Sequence, residues 1–185
     1  MTDVNAVTSI EPPSMGLTID SDIKAGDWSD IPNLDAVITR AVTAAFTAEL
    51  PENPDAELSI LLADNDTLQK LNSDYRSKDK ATNILSFAGV EPDEIEGAIA
   101  FALSGGQAIP LGDLVLSYSV LKAEAVEQSK SMEDHLSHLL VHGMLHLLGY
   151  DHESDADGEV MEDFEREILE TLDIKNPYLD EIEHE

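Results

Sequence analysis

A chain of 185 residues with 42% hydrophobic residues is long enough for one well-packed core and short for two, which predicts a single folded domain. Cysteine is absent, which excludes disulfides and thiolate metal ligands, and no apolar run approaches the ~20 residues of a membrane helix. A cytoplasmic protein without a membrane partner is the expectation. The formal net charge of −29, from 10 Lys+Arg and 39 Asp+Glu, argues by itself against a nucleic-acid substrate.

The few cations are not spread evenly along the chain. Four of the ten fall in one short segment, at Lys70, Arg76, Lys78 and Lys80, whereas much of the acid lies at 91–96 and in the C-terminal part of the chain. This clustering leaves room for an anionic partner beside that segment despite the net charge. A solvated loop is the alternative interpretation of the same residues.

Hydrophobic spacing and turn signals predict an α+β fold, with a small mixed sheet packed with about five helices. Residues 1–15 are predicted to be a flexible arm, 16–175 a single domain and 176–185 an acidic tail. The predicted elements are, in chain order, a strand at 17–20, a helix at 31–50 capped by Asp30, a strand at 57–63, a helix from 64 or 65 to 75, a strand at 83–87, a loop or hairpin at 89–106, a strand at 111–117, and helices at 120–129, 131–148 and 155–172.

The helix that begins at Ser131 carries the most informative pattern. It is apolar on nearly every side, which places it in the interior. His142 and His146 are one turn apart, so both imidazoles lie on one face and can converge on a single ion. His138 extends the same stripe, but at ~1.5 Å per residue it lies about 12 Å along the axis from His146. Because zinc ligands lie ~2.0–2.1 Å from the ion, one straight helix cannot supply all three.

The third ligand must therefore come from chain that has left the helix and turned back. Gly149 suits the left-handed position that ends a helix, and His152 follows it. The resulting spacing of i, i+4 and i+10 is that of the metzincin proteases, and three histidines with an open fourth position describe a catalytic zinc site. Metzincins carry a glutamate base directly after the first histidine, whereas this chain has Gly143, which argues against a peptidase.

Three blocks of the sequence resemble the YbeY-type endoribonucleases. They are HGMLHLLGYDH at 142–152, LNSDYRSKDKATNILSF at 71–87 and LGDLVLS at 111–117, and they stand in the order of that family. The chain departs from the family in having Ala88 where a proline usually continues the NILSF strand. The arm at 1–15 and an insertion at 94–110 lie outside the resemblance.

The resemblance implies an α+β fold with one zinc ion per chain on His142, His146 and His152, and a functional arginine at Arg76. It also implies single-strand-specific RNA cleavage in 16S rRNA 3′-end maturation and late ribosome quality control. The implied partners are single-stranded rRNA and the 30S subunit with its associated factors, but not DNA. A guanidinium can meet the charge on a phosphodiester with two donors, although a structural salt bridge is the alternative for Arg76.

Two further interpretations of the metal site remain open. One is a zinc metallohydrolase that acts on another substrate, such as a peptide. The other is a non-catalytic ribosome-assembly factor whose zinc is structural and closed by a fourth ligand such as Asp151 or His138. His135 and His138 are otherwise expected to be core residues or to support the ligands from outside, and Asp151 is a candidate for orienting a ligand.

Overall fold

The structure is a computed structural model that describes residues 16–77 and 82–179. The predicted arm, Lys78, Lys80 and the end of the predicted tail lie outside these residues. The elements are β1 (Leu17–Ile23), α1 (Leu34–Glu49), β2 (Ala56–Ala63), α2 (Asn65–Arg76), β3 (Ile84–Ala88), α3 (Ile95–Leu103), β4 (Ile109–Ser117), α4 (Tyr118–Glu127), α5 (Met132–Leu147) and α6 (Asp155–Thr171).

The four described strands form one sheet in the order β1-β2-β4-β3. β1, β2 and β4 are parallel, whereas β3 runs antiparallel to β4 at the edge of the sheet. The outer edge of β3 has no neighbouring strand among the described residues. The predicted α+β class with a mixed sheet is therefore confirmed.

The main core lies between the sheet and the helices α1 and α5. α5 packs against β3, β4, α1, α4 and α6, and residues around its whole circumference are buried, as its apolar composition predicts. Ser131 caps α5 by accepting a hydrogen bond from the backbone N–H of Asp134 at 3.0 Å. On the opposite face of the sheet, α2 covers a smaller cluster that contains Leu68, Leu85 and Val115. Because α5 is enclosed in this way, its side chains are held in fixed positions.

The first predicted helix starts later than expected. Trp28–Asp30 forms a 3-10 turn around the buried Trp28, and α1 begins only at Leu34, after Asn33 in a left-handed conformation. Asp30 therefore does not cap the helix, and its carboxylate instead accepts hydrogen bonds from Tyr118 and Lys122. Burial of the tryptophan ring prevailed over the capping preference of the aspartate.

The prediction of a loop or hairpin at 89–106 is wrong, because this segment contains α3. Ile95, Ala98, Ile99 and Ala102 are spaced i, i+3, i+4 and i+7, which is the spacing of one helix face, and Ile95 and Ala102 are buried. The described residues thus contain six α-helices, one more than the predicted number. Among these residues no helix has the length and apolarity needed to cross a bilayer.

Candidate metal centre

Three histidines meet at the C-terminal end of α5. His142 and His146 project from the last two turns of the helix, and Gly149 ends it with a φ of +101°. The Tyr150 N–H donates to the Leu145 carbonyl at 3.0 Å, which closes a glycine-terminated helix end and turns the chain back. His152 is thereby brought over the same spot, with its ring 5.0 Å from that of His146. The predicted helix break is thus present in the structure.

The hydrogen bonds of the helical histidines fix which ring nitrogen faces the centre. His142 Nδ1 lies 2.9 Å from Glu165 Oε1, and His146 Nδ1 lies 3.0 Å from the Tyr150 carbonyl oxygen. Both partners accept, so both Nδ1 atoms carry the proton and donate it. The lone pair of each imidazole is therefore on Nε2, on the side that faces the other histidines.

This arrangement fits a metal ion. The two Nε2 atoms are 3.0 Å apart, which brings two lone pairs together and favours a cation between them. Two nitrogens held ~2.0–2.1 Å from one tetrahedral ion would be about 3.4 Å apart. With His152 included, the ligand atoms of the three histidines all lie within 4.8 Å of one another. The group His142, His146 and His152 can therefore hold a metal ion.

Burial keeps His146 in a form that can bind a metal. Burial and, to a smaller extent, the adjacent His142 lower the pKa of His146 to about 4. The ring is thus neutral at neutral pH, as a ligand must be. His152, in contrast, is exposed on the loop after Gly149 and closes the group from the solvent side.

A buried carboxylate, Glu165 of α6, supports the group from behind. Its side chain is fully buried and contacts His142 Nδ1 at 2.9 Å, His138 Nε2 at 3.5 Å and the Tyr178 hydroxyl at 2.5 Å. Burial alone would raise the pKa of this carboxyl, but the hydrogen bonds to His138 and His142 lower it to about 2. Glu165 is therefore a charged acceptor that orients the His142 ring.

The other two histidines of α5 do not join the group. His138 is directed toward Glu165, and burial lowers its pKa. His135 is buried and lies 2.7 Å from Glu124, which in turn accepts two hydrogen bonds from Asn83. Each of these two histidines thus contacts a carboxylate through its Nε2 atom instead of joining the other three histidines.

Gly143, which stands where metzincins have their base, lies against the sheet. A Cβ atom placed there would come within 2.8 Å of Leu114 Cδ2 and 2.9 Å of Ile84 Cδ1, and 3.3 Å from Ser86 Oγ. The helix lies so close to β3 and β4 at this point that even a methyl group would require the side-chain ends of Leu114 and Ile84 to shift. A glutamate at position 143 would have to displace the side-chain ends of Leu114 and Ile84.

The three histidines open into a cleft of about 460 Å³ along the edge strand β3. Ile84, Ser86 and Asp151 line it, and Arg76 enters it from the end of α2. The Arg76 Nη2 donates to the Ser86 carbonyl at 3.2 Å, and within the described ranges Arg76 makes no ion pair. The structure therefore places Arg76 in the same cleft as His142, His146 and His152.

A larger cleft, of about 1100 Å³, lies between α1 and α6. It is lined by residues such as Thr39, Thr43 and Phe164 and by no histidine. Despite its size, this cleft is not the candidate site, because it brings together no group of potential metal ligands. The smaller cleft beside the histidines does.

Sequence patterns alone did not identify Glu165 and Tyr178. A signal for Glu165 was present, since it lies on the stripe of Met161, Ile168 and Leu169 that α6 buries. A carboxylate on the apolar face of a helix needs a partner. Asp151 was identified, but its carboxylate accepts from the backbone N–H of His152 at 2.7 Å rather than from an imidazole.

A family model described as Endoribonuclease YbeY matches residues 22–173. An Endoribonuclease YbeY of Rhodopseudomonas palustris strain BisB5 is 44% identical over 159 residues, which cover 86% of this chain and 80% of the relative. The protein of the same name from strain BisB18 is 38% identical over 175 residues, 95% of this chain and 98% of the relative. The solution structure of a Thermotoga maritima protein is 22% identical over 84% of this chain and 92% of that one, with a TM-score of 0.48. This chain belongs to the Endoribonuclease YbeY family.

Proposed function

We propose that this chain is a zinc-dependent endoribonuclease, specific for single-stranded RNA, that acts in 16S rRNA 3′-end maturation and late ribosome quality control. In this proposal it binds one zinc ion, works in the cytoplasm on the 30S subunit, and uses residues 16–175 as a single catalytic domain. Membership of a family whose relatives are named endoribonucleases supports the reaction class. The placement of Arg76 in the cleft of the three histidines carries the proposal.

The roles of the residues are based on that placement. His142, His146 and His152 would hold the zinc, which supplies a Lewis acid and lowers the pKa of a water to ~7. Arg76 would bind nonbridging oxygens of the scissile phosphodiester, where negative charge grows in the transition state. Its hydrogen bond to the Ser86 carbonyl uses one N–H donor. A guanidinium has five such donors, so several are left for a phosphate.

The two alternative functions have less support. A peptidase would need a base beside the metal, and Gly143 supplies none at the usual position. A closed structural zinc would need a fourth protein ligand, but Asp151 bonds the His152 backbone and His138 is directed toward Glu165. Neither side chain belongs to the group of potential ligands within the described residues.

Replacement of Arg76 by alanine tests the proposal. Arg76 is exposed, so zinc content and melting temperature should stay close to those of the wild type. Cleavage of single-stranded RNA should fall by ~10²–10³-fold, because one donor to the developing charge is lost. Arg40→Ala is the matched control, since Arg40 donates to the Leu172 carbonyl and does not line the metal cleft.

Two results would contradict the proposal in different ways. Unfolding of Arg76→Ala would assign the arginine a structural role. Unchanged cleavage by a folded, zinc-loaded Arg76→Ala would remove it from the reaction. Mapping of 16S rRNA 3′ ends in cells that carry His142→Ala tests the substrate, since normal ends would refute the role in maturation.

A further inference from the structure

We infer that Tyr75 and Phe87 form a stacking platform for a base of the single-stranded RNA, on the other side of the edge strand from the metal site. This inference rests on the proposed function. Tyr75, at the end of α2, has 71% of its surface exposed, which is unusual for a tyrosine. Its ring packs edge-on against that of Phe87 in β3, with 5.5 Å between centroids and 70° between planes.

The alternation of side chains along β3 sets the position of the pair. Ser86 and Ile84 point toward α5 and line the metal cleft, so Phe87 and Leu85 point to the opposite face, under α2. On α2, Tyr75 precedes Arg76, just as Phe87 follows Ser86 on the strand. The Arg76–Ser86 hydrogen bond and the Tyr75–Phe87 contact therefore lie side by side across the edge of the sheet.

In this inference, the RNA strand that places a phosphate at Arg76 crosses this edge. β3 has no neighbouring strand on its outer side among the described residues, so no strand covers this edge there. A base flanking the phosphate would then reach the exposed Tyr75. Aromatic side chains stack on bases of any sequence, which suits an enzyme that selects unpaired RNA rather than a sequence motif.

Core packing alone accounts for Phe87 but not for Tyr75. Phe87 is half-buried against the cluster under α2, together with Leu61 and Leu71. Tyr75 lies outside that cluster and covers little of it. Because most of the Tyr75 surface is open to solvent, Phe87 fixes the ring while leaving much of it free for a ligand.

The test compares Tyr75→Ala, Tyr75→Leu and Tyr75→Phe in the zinc-loaded protein, with Phe101→Ala as the matched control. Phe101 is 58% exposed on α3 and does not line the cleft. The probe is a short single-stranded RNA in which 2-aminopurine replaces each base in turn on either side of the cleaved bond. Fluorescence quenching reports stacking, fluorescence anisotropy reports affinity, and initial rates separate KM from kcat.

We expect Tyr75→Ala and Tyr75→Leu to weaken RNA binding by about 5-fold to 100-fold and to abolish quenching at one position. KM should rise more than kcat falls, and Tyr75→Phe should match the wild type because it keeps the ring. Zinc content and melting temperature should not change.

If the wild type cleaves RNA and Tyr75→Ala shows the same affinity and the same quenching as the wild type, the stacking inference is overturned and the proposed function stands. That result would also be expected if the aromatic pair bound a protein. Wild-type behaviour of Tyr75→Leu, or an equal loss in Phe101→Ala, would overturn it as well, because the effect would then not depend on this ring. A folded, zinc-loaded wild type that neither binds nor cleaves RNA would instead refute the proposed function, and the inference with it.

Discussion

Replacement of Glu165 should weaken zinc binding although Glu165 is not among the three histidines that can hold the metal. The carboxylate is fully buried and holds the Nδ1–H of His142 at 2.9 Å, which keeps the His142 Nε2 directed toward His146. Partners of this kind typically contribute 10–100-fold to metal affinity. We therefore expect Glu165→Leu to lose about 100-fold in zinc affinity and Glu165→Gln about 10-fold.

The difference between the two variants arises from the contacts. A glutamine keeps an oxygen that can still accept from His142, but it loses the charge and turns an amide N–H₂ toward the Tyr178 hydroxyl, which donates to the other oxygen in the wild type. A leucine leaves the His142 N–H without an acceptor in the interior, which costs about 1–3 kcal/mol of stability. Glu165→Leu should therefore also melt at a lower temperature in the absence of metal, whereas Glu165→Gln should melt close to the wild type.

Competition with a chromophoric chelator measures the affinity, and circular dichroism in chelator measures the melting temperature. The absorption spectrum of a cobalt-substituted protein reports distortion of the ligand set independently of activity. Glu162→Gln is the control, because Glu162 is exposed on the same helix and its change removes the same charge. If Glu165→Leu folds and binds zinc as tightly as the wild type, Glu165 does not orient His142 and the reasoning fails.

Further predictions concern the three histidines, the metal and Gly143. Alanine at His142, His146 or His152 should abolish metal binding, as measured by elemental analysis, whereas His135→Ala and His138→Ala should retain it; a ligand set containing His138 in place of His152 would contradict this. Chelation of the wild type should lower its melting temperature, because a metal at 100 times its Kd contributes ~2.7 kcal/mol to folding, and an unchanged melting curve after proven metal loss would count against the site. Gly143→Ala should change the free energy of unfolding by no more than ~1–3 kcal/mol, because the new methyl group meets only the flexible ends of side chains. Gly143→Glu should destabilise the fold strongly and should show no peptidase activity in a casein assay.

The histidine group could be predicted from the sequence because its geometry is local. The helical repeat places His142 and His146 on one face, and Gly149 requires a turn that only a few residues can complete before His152. Arg76 was predicted from the resemblance alone. Its presence in the cleft depends on the pairing of β3 with β4 at the edge of the sheet, a long-range contact that no local pattern contains.

The parts that sequence reasoning missed are also explained by long-range contacts. Glu165 comes from α6, 23 residues after His142, and its partners become visible only when α5 and α6 are packed together. α3 was missed for another reason, since the acidic residues at 91–96 and the Gly105-Gly106 pair suggested a loop and outweighed the helical spacing of the apolar residues between them.

The net charge of −29 leads to a final prediction about salt. Binding of single-stranded RNA loses affinity with salt at a slope of about −0.7 per neutralised phosphate. Arg76 is the cation that the described residues contribute to the lining of the metal cleft, which gives a slope near −0.7. Phosphate contacts from Lys78 and Lys80 as well would bring it to about −2. Repulsion between the acidic surface and RNA flattens the dependence further, since salt screens it too. Affinity must then come mainly from the metal and from stacking, and a slope steeper than about −4 in an anisotropy titration would mean that RNA follows a different, basic surface.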